Sequence, residues 1–297
     1  MSVDESLTAP HASHFTPHAT LRLGRFSLSL ERPLIMAIVN ITPDSFSDGG
    51  RFFDCGRAFD HARKLLEEGA DILDVGGESS RPGARPVTAD EELRRVLPVL
   101  EKLVELPVPV SVDTSKPEVM RRAIAAGAAM INDITALREE GALDAVSGSK
   151  VAVCLMHMQG EPRTMQQAPQ YRDVVEEVKT FLANRAAAAI AAGVERNRIV
   201  LDPGFGFGKT MQHNLELIRA LPRLRQAGYP LLAGLSRKAL FGKIVGRERG
   251  QRVYASAAGA VLAAQRGASI VRVHDVAATR DCLLVLRAID DTTYSLS

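Results

Sequence analysis

The stretch LIMAIVN, residues 34–40, is a run of six apolar residues that ends in an asparagine. Continuous apolar runs of this length are typical of strands that are buried on both faces of a parallel sheet. Seven similar runs follow: DILDV (71–75), VPVSV (108–112), AMI (129–131), VAVCLM (151–156), RIVL (198–201), LLAGL (231–235) and SIVRV (269–273). The sequence therefore predicts eight buried strands.

Amphipathic stretches such as AFDHARKLLEEG (58–69) lie between the apolar runs and predict helices. Thr88 with Glu91 and Ser115 with Glu118 have the spacing of a capping box at a helix start. Five glycines lie where these helices should end: Gly69, Gly127, Gly193, Gly228 and Gly267. Eight such β/α units in 297 residues predict an α/β fold, a TIM (β/α)8 barrel, and an open doubly wound sheet is the alternative.

The chain shows no linker or change of composition that would divide the barrel, so we expect one domain over residues 20–297. Residues 1–19 are polar and contain three irregularly spaced histidines, which predicts a flexible N-terminal tail. The segment ATLRLGRFSLSLERP (19–33) alternates apolar and polar residues around Gly24. It predicts a short β-hairpin that closes the floor of the barrel.

Composition excludes several classes of protein. The 37 Lys and Arg residues nearly balance 35 Asp and Glu, which argues against a nucleic-acid binder or a membrane-surface protein. No apolar run is long enough to span a bilayer, and the N-terminus has no signal-peptide core. The three cysteines, Cys55, Cys154 and Cys282, lack metal-ligand spacing and suggest reduced thiols in a cytoplasmic protein.

Polar residues follow nearly every predicted strand. They are Asn40, Asp113, Asn132, Asp133, His157, Asp202, Arg237, Lys238, Arg272, His274 and Asp275. The carboxyl ends of barrel strands converge on one mouth, which is where barrel enzymes hold their active sites. A single aspartate there is more often a helix cap, but so many carboxylates, amides and cations predict a binding site.

The stretch LDPGFGFGKT (201–210) superficially resembles a phosphate-binding P-loop. Pro203 stands where that motif requires its first glycine, and proline has no N–H to offer a phosphate. We therefore do not expect a nucleotide-binding loop.

Two kinds of ligand group can be inferred from these side chains. An anionic group could be surrounded by Asn40, Arg81, Arg272 and His274, with Asn40 offering an oxygen to a hard metal such as Mg²⁺. A ring edge rich in N–H groups could be held by the acceptors Asp113, Asn132 and Asp202, with Lys238 as a donor beside them. The residues alone predict a heterocycle with an anionic tail.

Eight segments, in this order over residues 34–290 or so, resemble the dihydropteroate synthase family. They are NITPDSFSDGG (40–50), GGESSRPGA (76–84), SVDTSK (111–116), INDI (131–134), MHMQG (156–160), DPGFGFGK (202–209), GLSRKA (234–239) and RVHDV (272–276). The resemblance implies a transferase of folate biosynthesis, of the kind that sulfonamides target. Its reaction joins 6-hydroxymethyl-7,8-dihydropterin diphosphate to 4-aminobenzoate and releases pyrophosphate.

The resemblance also implies a role for each site residue. The pterin ring would be held by Asp113, Asn132, Asp202 and Lys238, with Arg272 packed on its face. The diphosphate would be held by Asn40, Arg272 and His274, with Mg²⁺ bound through Asn40. The aminobenzoate site would be formed by Phe46, Asp48, Ser80, Arg81 and Phe207. Asn40, Asp48, Arg81, Arg272 and His274 are the expected catalytic residues, and the family implies a homodimer with YASAAGAVLAAQ (254–265) as a candidate contact.

Two positions depart from the family pattern. Ser80 stands where threonine is common, and Ala239 stands where serine is common; both border the expected aminobenzoate site. Residues 44–53 and 79–86 are rich in Gly, Ser and Pro, and we expect them to be mobile loops that close over the substrates. The alternative functions are a methyltetrahydrofolate-dependent methyltransferase, a non-catalytic pterin-binding paralogue, and an unrelated phosphate-binding barrel.

Overall fold

A parallel barrel forms the body of the protein. The structure, a computed structural model, describes residues 20–41, 51–79, 85–162 and 164–291, without the side chains of residues 51–54. Its strands are β1 (Thr20–Leu23), β2 (Phe26–Ser29), β3 (Leu34–Asn40), β4 (Ile72–Gly76), β5 (Val110–Asp113), β6 (Met130–Asp133), β7 (Ala152–Met156), β8 (Ile199–Asp202), β9 (Leu232–Ala233) and β10 (Ile270–Val273). All eight predicted strands are therefore present within a few residues of the apolar runs.

The eight strands β3 to β10 pair in parallel in the order β8-β7-β6-β5-β4-β3-β10-β9. The two ends of this sheet meet where Leu201 of β8 forms a parallel bridge with Leu231, and the Leu201 N–H donates to the Pro230 carbonyl at 3.0 Å. The sheet thus closes on itself, which confirms the barrel and excludes the open sheet.

Helices surround the barrel between successive strands. They are α1 (Arg51–Glu67), α2 (Ala89–Leu103), α3 (Pro117–Ala125), α4 (Ala142–Val146), α5 (Val174–Ala191), α6 (Met211–Arg219), α7 (Leu221–Arg225), α8 (Ala239–Val245), α9 (Val253–Gln265) and α10 (Val276–Asp290). Positive φ angles between 75° and 104° occur at all five glycines that were predicted to follow helices.

The structure supports the helix cap expected at Thr88 and not the one expected at Ser115. The Thr88 hydroxyl accepts a hydrogen bond from the Glu91 N–H, so this side chain caps α2 as expected. Helix α3 instead begins after Lys116 with Pro117 in its first turn, and it has no side-chain cap. Proline has no N–H to cap and its φ is already helical, so the turn forms without help from Ser115.

Side chains alternate between the barrel interior and the surrounding helices along each strand. In β3, Leu34 and Met36 belong to the interior cluster, whereas Ile35, Ala37 and Val39 pack outward in the core beneath the helices. The same alternation turns polar residues of the upper strand ends inward. The interior is therefore apolar near the amino ends of the strands and polar near their carboxyl ends.

The predicted β-hairpin closes the apolar end of the barrel. Strands β1 and β2 pair antiparallel, and Leu21 and Leu23 are fully buried in the interior cluster with Met36, Ile72 and other barrel residues. This end of the barrel is thus a closed floor, and the opposite end is the mouth.

Several expectations concern residues that the structure does not describe. The tail (1–19) lies outside the described residues. So do residues 44–50 of the first predicted loop (44–53) and residues 80–84 of the second (79–86). The first loop is shorter than expected, because α1 already begins at Arg51. Among the helices of the described ranges, none has the length and apolar character needed to cross a membrane.

Replacing Leu23 with alanine should destabilise the protein, because it leaves a cavity at the floor of the barrel. Buried leucine-to-alanine changes cost about 2–5 kcal/mol. The matched control is Arg22→Ala on the opposite, exposed face of the same strand, where Arg22 forms an exposed ion pair with Glu195 at 3.4 Å. That change should cost less than about 1 kcal/mol. Urea unfolding of both variants measures the difference in their free energies of unfolding. Equal midpoints would contradict the prediction that the buried leucine of the hairpin stabilises the barrel.

Candidate active site

A guanidinium group connects three strands at the mouth. The Arg272 Nε of β10 donates to Asp74 Oδ2 of β4 at 2.6 Å, and its Nη2 donates to Asp113 Oδ2 of β5 at 2.7 Å. Asp74 is fully buried, whereas the side chains of Asp113 and Arg272 are 14% and 20% exposed. Arg272 thus holds two carboxylates that would otherwise repel each other.

The charge on Asp113 is sensitive to pH. Burial raises the pKa of Asp113 to about 7, and the nearby Asp74 carboxylate adds to this rise, while the positive charge of Arg272 opposes it. Burial likewise raises the pKa of Asp202, because it disfavours the charged form of the carboxylate. The mouth therefore contains carboxylates whose ionised forms need a donor partner.

Asn132 of β6 and Asp202 of β8 lie on the interior face of the barrel, and both are nearly buried. The Asn132 Nδ2 donates to Asp74 Oδ2 at 3.2 Å. The Asp202 Oδ1 accepts from the Gly204 N–H at 2.7 Å, which leaves its Oδ2 to face the interior. Asn132 and Asp202 can therefore each offer one acceptor oxygen to a ligand.

Lys238 supplies the positive charge next to Asp202. Burial lowers the pKa of Lys238 to about 8, and the Asp202 carboxylate opposes the decrease. Its Nζ lies 4.2 Å from the centre of the Phe207 ring, in a cation–π contact. Lys238 directly precedes α8, so the sharp turn at Arg237, with φ of 56°, brings it into the mouth.

The loop 203–209 is organised around its own lysine. The buried Lys209 Nζ donates to the carbonyls of Gly204 and Phe207, both at 2.9 Å, and contacts His157 Nδ1 at 2.9 Å. A P-loop points backbone N–H groups at a phosphate, whereas this loop points carbonyl oxygens at an ammonium group. The expectation that it is not a nucleotide-binding loop is therefore supported.

Two glycines of this loop have no room for a side chain. A Cβ on Gly204 would lie 1.9 Å from the His157 carbonyl oxygen, and one on Gly208 would lie 2.2 Å from the Gln159 carbonyl oxygen. Both residues also have positive φ. The close approach places Phe207 in a small apolar cluster with Met156, Met158 and Met165.

Burial lowers the pKa of Lys209 to about 7, and burial together with Lys209 lowers that of His157 to about 3. The neutral imidazole can then accept a hydrogen bond from the ammonium group through Nδ1. His157 follows a strand end as predicted, but it is engaged in holding the loop.

His274 and Asn40 complete the described part of the mouth. The His274 Nδ1 lies 3.0 Å from the Ser236 hydroxyl, which also accepts from the His274 N–H. Asn40 is half-buried at the end of β3, and its side chain forms no hydrogen bond with any residue in the described ranges. Its amide oxygen is thus available to a ligand or a cation.

Other strand-end residues serve the fold. Asp133 accepts from the N–H groups of Thr135 and Leu137, both at 2.7 Å, and so caps the turn after β6. Arg237 donates to both oxygens of Asp275, at 3.0 and 2.5 Å. Four predicted site residues lie outside the described residues, so the structure says nothing of them: Phe46, Asp48, Ser80 and Arg81.

Sequence reasoning missed Asp74. This residue lies inside the apolar run DILDV (71–75), whereas most of the predicted site residues follow their runs. The period of two along β4 could have found it, because Asp74 follows Ile72 on the interior face. A carboxylate on that face is unusual enough to indicate a partner in the mouth.

Comparison with known proteins agrees with this geometry. Residues 36–274 match the family model described as "Pterin binding enzyme". The dihydropteroate synthase of Haemophilus influenzae is 50% identical over 262 residues, which cover 88% of this chain and 95% of that protein.

Solved structures give the same result. The Xanthomonas albilineans dihydropteroate synthase with 4-aminobenzoic acid is 55% identical, with a TM-score of 0.86 over 92% of this chain and 99% of that one. The same enzyme in complex with 7,8-dihydropteroate is 50% identical, with a TM-score of 0.82 and the same coverage of both chains. The chain belongs to the pterin-binding enzyme family and, within it, to the dihydropteroate synthases.

Proposed function

We propose that the mouth of the barrel joins 6-hydroxymethyl-7,8-dihydropterin diphosphate to 4-aminobenzoate and releases pyrophosphate. The observation that supports this most directly is the set of acceptors at the carboxyl ends of β5, β6 and β8, Asp113, Asn132 and Asp202, with the Lys238 ammonium beside them. A 2-amino-pyrimidinone ring has N–H donors along one edge and a carbonyl on the other, so it complements this set. Neither a phosphate nor a sugar would use all four groups.

The ring would lie between Arg272 and the loop 203–209. The acceptors Asn132 Oδ1 and Asp202 Oδ2 would take N–H groups of the ring, and the Lys238 Nζ would donate to its carbonyl. Because both acceptors are nearly buried, a ligand without the matching donors would leave them unpaired. The site should therefore select strongly for a pterin.

The diphosphate would lie towards the opening, near Arg272, His274 and Asn40. Mg²⁺ suits this position, because it is usually bound through one or two protein oxygens together with phosphate oxygens. The described residues include no group of three or more His, Cys, Asp or Glu side chains that could hold a metal by themselves. We therefore infer that Asn40 holds Mg²⁺ together with the substrate, where the ion would neutralise charge on the leaving group.

The chemistry needs no strong base on the protein. An aryl amine has a free lone pair at neutral pH and can attack the pterin methylene carbon as the diphosphate departs. The C–N bond forms, the C–O bond to the diphosphate breaks, and the amine loses a proton. Arg272 and His274 would stabilise the developing negative charge, which is electrostatic catalysis. Phe207, with the loop residues Phe46, Asp48, Ser80 and Arg81, would form the aminobenzoate site and exclude water.

An assay of pyrophosphate release tests the proposed function. Release should require both the pterin diphosphate and 4-aminobenzoate, and it should stop when EDTA removes Mg²⁺ and resume when Mg²⁺ is restored. A non-catalytic paralogue would bind the pterin without releasing pyrophosphate. A methyltransferase would instead transfer the methyl group of methyltetrahydrofolate.

We further propose that the protein acts in the cytoplasm as a homodimer. Exposed apolar side chains of α9 and α10, including Tyr254 (85% exposed), Val285 and Ile289, offer a surface that a second copy could cover. Tyr254→Arg with Ile289→Arg should shift the mass measured by light scattering from that of two chains to that of one. A single-chain mass for the parent protein would contradict the dimer.

Replacing Asp202 with asparagine should weaken binding of the pterin diphosphate at least about a hundredfold. The Gly204 N–H holds Oδ1, so the asparagine would keep its oxygen there and turn its NH₂ group towards the ring. A charged hydrogen bond contributes about 1.5–3 kcal/mol and an unpaired buried group costs about 1–3 kcal/mol more. Calorimetry measures the affinity, and parent-like binding would refute this role.

The same variant should fold at least as stably as the parent. Burial raises the pKa of Asp202, so the ionised carboxylate is disfavoured in the unliganded site and its replacement removes that cost. A melting temperature well below that of the parent would point to a purely structural role.

Binding of 6-hydroxymethylpterin, which has no diphosphate group to titrate, should have a bell-shaped pH dependence. Asp113 has a pKa of about 7 and binds N–H donors when ionised, so affinity should fall about tenfold per unit as the pH decreases below 7. Lys238 has a pKa of about 8, so affinity should also fall above 8. Asp113→Asn should remove the acid limb, and a flat profile for the parent would contradict these assignments.

A further inference from the structure

We propose that Asp74 is a positioning residue that fixes the orientation of the Asn132 amide. In this orientation the mouth presents the Asn132 oxygen, and not its NH₂ group, to the pterin ring. The inference rests on the proposed function and assigns a role to a residue one layer deeper than the ligand site.

The geometry places Asp74 beneath the groups that would contact the ligand. Asp74 is fully buried, and its Oδ2 accepts from both Asn132 Nδ2 at 3.2 Å and Arg272 Nε at 2.6 Å. In the register of the sheet, Asp74 lies beside Ser111, which precedes Asp113 on the same face. Asp74 therefore acts on the mouth through its two donors.

The orientation of Asn132 follows from the hydrogen-bonding capacity of the two side chains. An amide carries a donor on one side and an acceptor on the other, whereas an ionised carboxylate can only accept. The nitrogen of Asn132 must therefore face Asp74, and the oxygen must face away from it. Because Oδ2 already accepts from the Arg272 Nε, it acts as an acceptor towards Asn132 as well.

The orientation decides which ring edge the site can accept. With the oxygen exposed to the ligand, Asn132 and Asp202 both act as acceptors, and they match two N–H groups. If the amide were reversed, its NH₂ group would meet a ring N–H and leave both unpaired. Asp74 would thus set a selectivity that neither Asn132 nor its backbone can set alone.

The structure also shows a cost of keeping a carboxylate at this position. The Oδ1 of Asp74 has no hydrogen-bond partner among the described residues, although it is fully buried. A buried unpaired oxygen is unfavourable, and the bond from Arg272 to the other oxygen does not relieve this cost. Control of the Asn132 amide gives a reason for a carboxylate here, because an amide or hydroxyl could not enforce one orientation.

The test is a double-mutant cycle of Asp74→Asn and Asn132→Ala, read out as the Kd of 6-hydroxymethylpterin by calorimetry. Asp74→Asn should weaken binding about tenfold, which corresponds to one hydrogen bond of about 1.4 kcal/mol. On the Asn132→Ala background the same change should cost less than about threefold. Losses that multiply, or an Asp74→Asn variant with parent-like affinity, would overturn the proposal.

A matched control separates positioning from general loss of structure. Asp133→Asn makes the same substitution at a fully buried aspartate at the end of β6, which caps a turn and does not face the mouth. It should lower the melting temperature and leave the pterin Kd unchanged. Asp74→Asn should raise the KM for the pterin diphosphate and leave that for 4-aminobenzoate within about twofold; equal increases in both would contradict the assignment.

A second variant covers the case in which Asp74→Asn does not fold. Asp74→Ser places a hydroxyl that can donate or accept, so it also fails to enforce one amide orientation, and the same non-additivity with Asn132→Ala is expected. Additive losses here would overturn the proposal equally. If the parent protein binds no pterin, the proposed function fails; if the parent binds and the Asp74 variants bind equally well, only this inference fails.

Discussion

The mouth of the barrel depends on one partly buried guanidinium. Arg272 lies between Asp74 and Asp113, two carboxylates on the neighbouring strands β4 and β5, and it donates a hydrogen bond to each. A buried ion pair adds little net stability, yet loss of one partner leaves an uncompensated charge and is strongly destabilising. The arrangement therefore trades stability for a fixed set of charges, and the orientation of Asn132 and the titration of Asp113 both follow from it.

Two lysines at the mouth illustrate how burial assigns different roles to one type of side chain. Lys209 is enclosed by carbonyl oxygens and His157, so its hydrogen bonds stabilise the loop 203–209. Lys238 lies against Asp202 and the Phe207 ring, where its donors remain directed at the interior. The first lysine fixes the loop that carries Phe207, and the second uses that ring as its support. A change at Lys209 would thus reach Lys238 through Phe207.

The repeated pattern of strand and helix was sufficient to predict the fold. Continuous apolar runs report burial on both faces, and the glycines after the helices report where each helix ends, so both signals are local. Ser115 failed as a cap because Pro117 already begins the helix. The site was predicted less completely. Asp113, Asn132, Asp202, Lys238 and Arg272 converge as expected, but whether His157 and Arg237 face a ligand depends on Lys209 and Asp275, which are distant in sequence. Asp74 was missed because its two partners, Asn132 and Arg272, come from two other strands that only the closed barrel brings close to it.

The hairpin at the amino end of the strands gives the barrel the form of a cup. Because Leu21 and Leu23 seal the amino end of the described barrel, a ligand enters and leaves at the carboxyl end of the strands. Where two ligands occupy such a cavity one above the other, the deeper ligand has to bind first and leaves last. That order of binding and release follows from the shape of the barrel. It would persist even if the affinities of the individual molecules were altered.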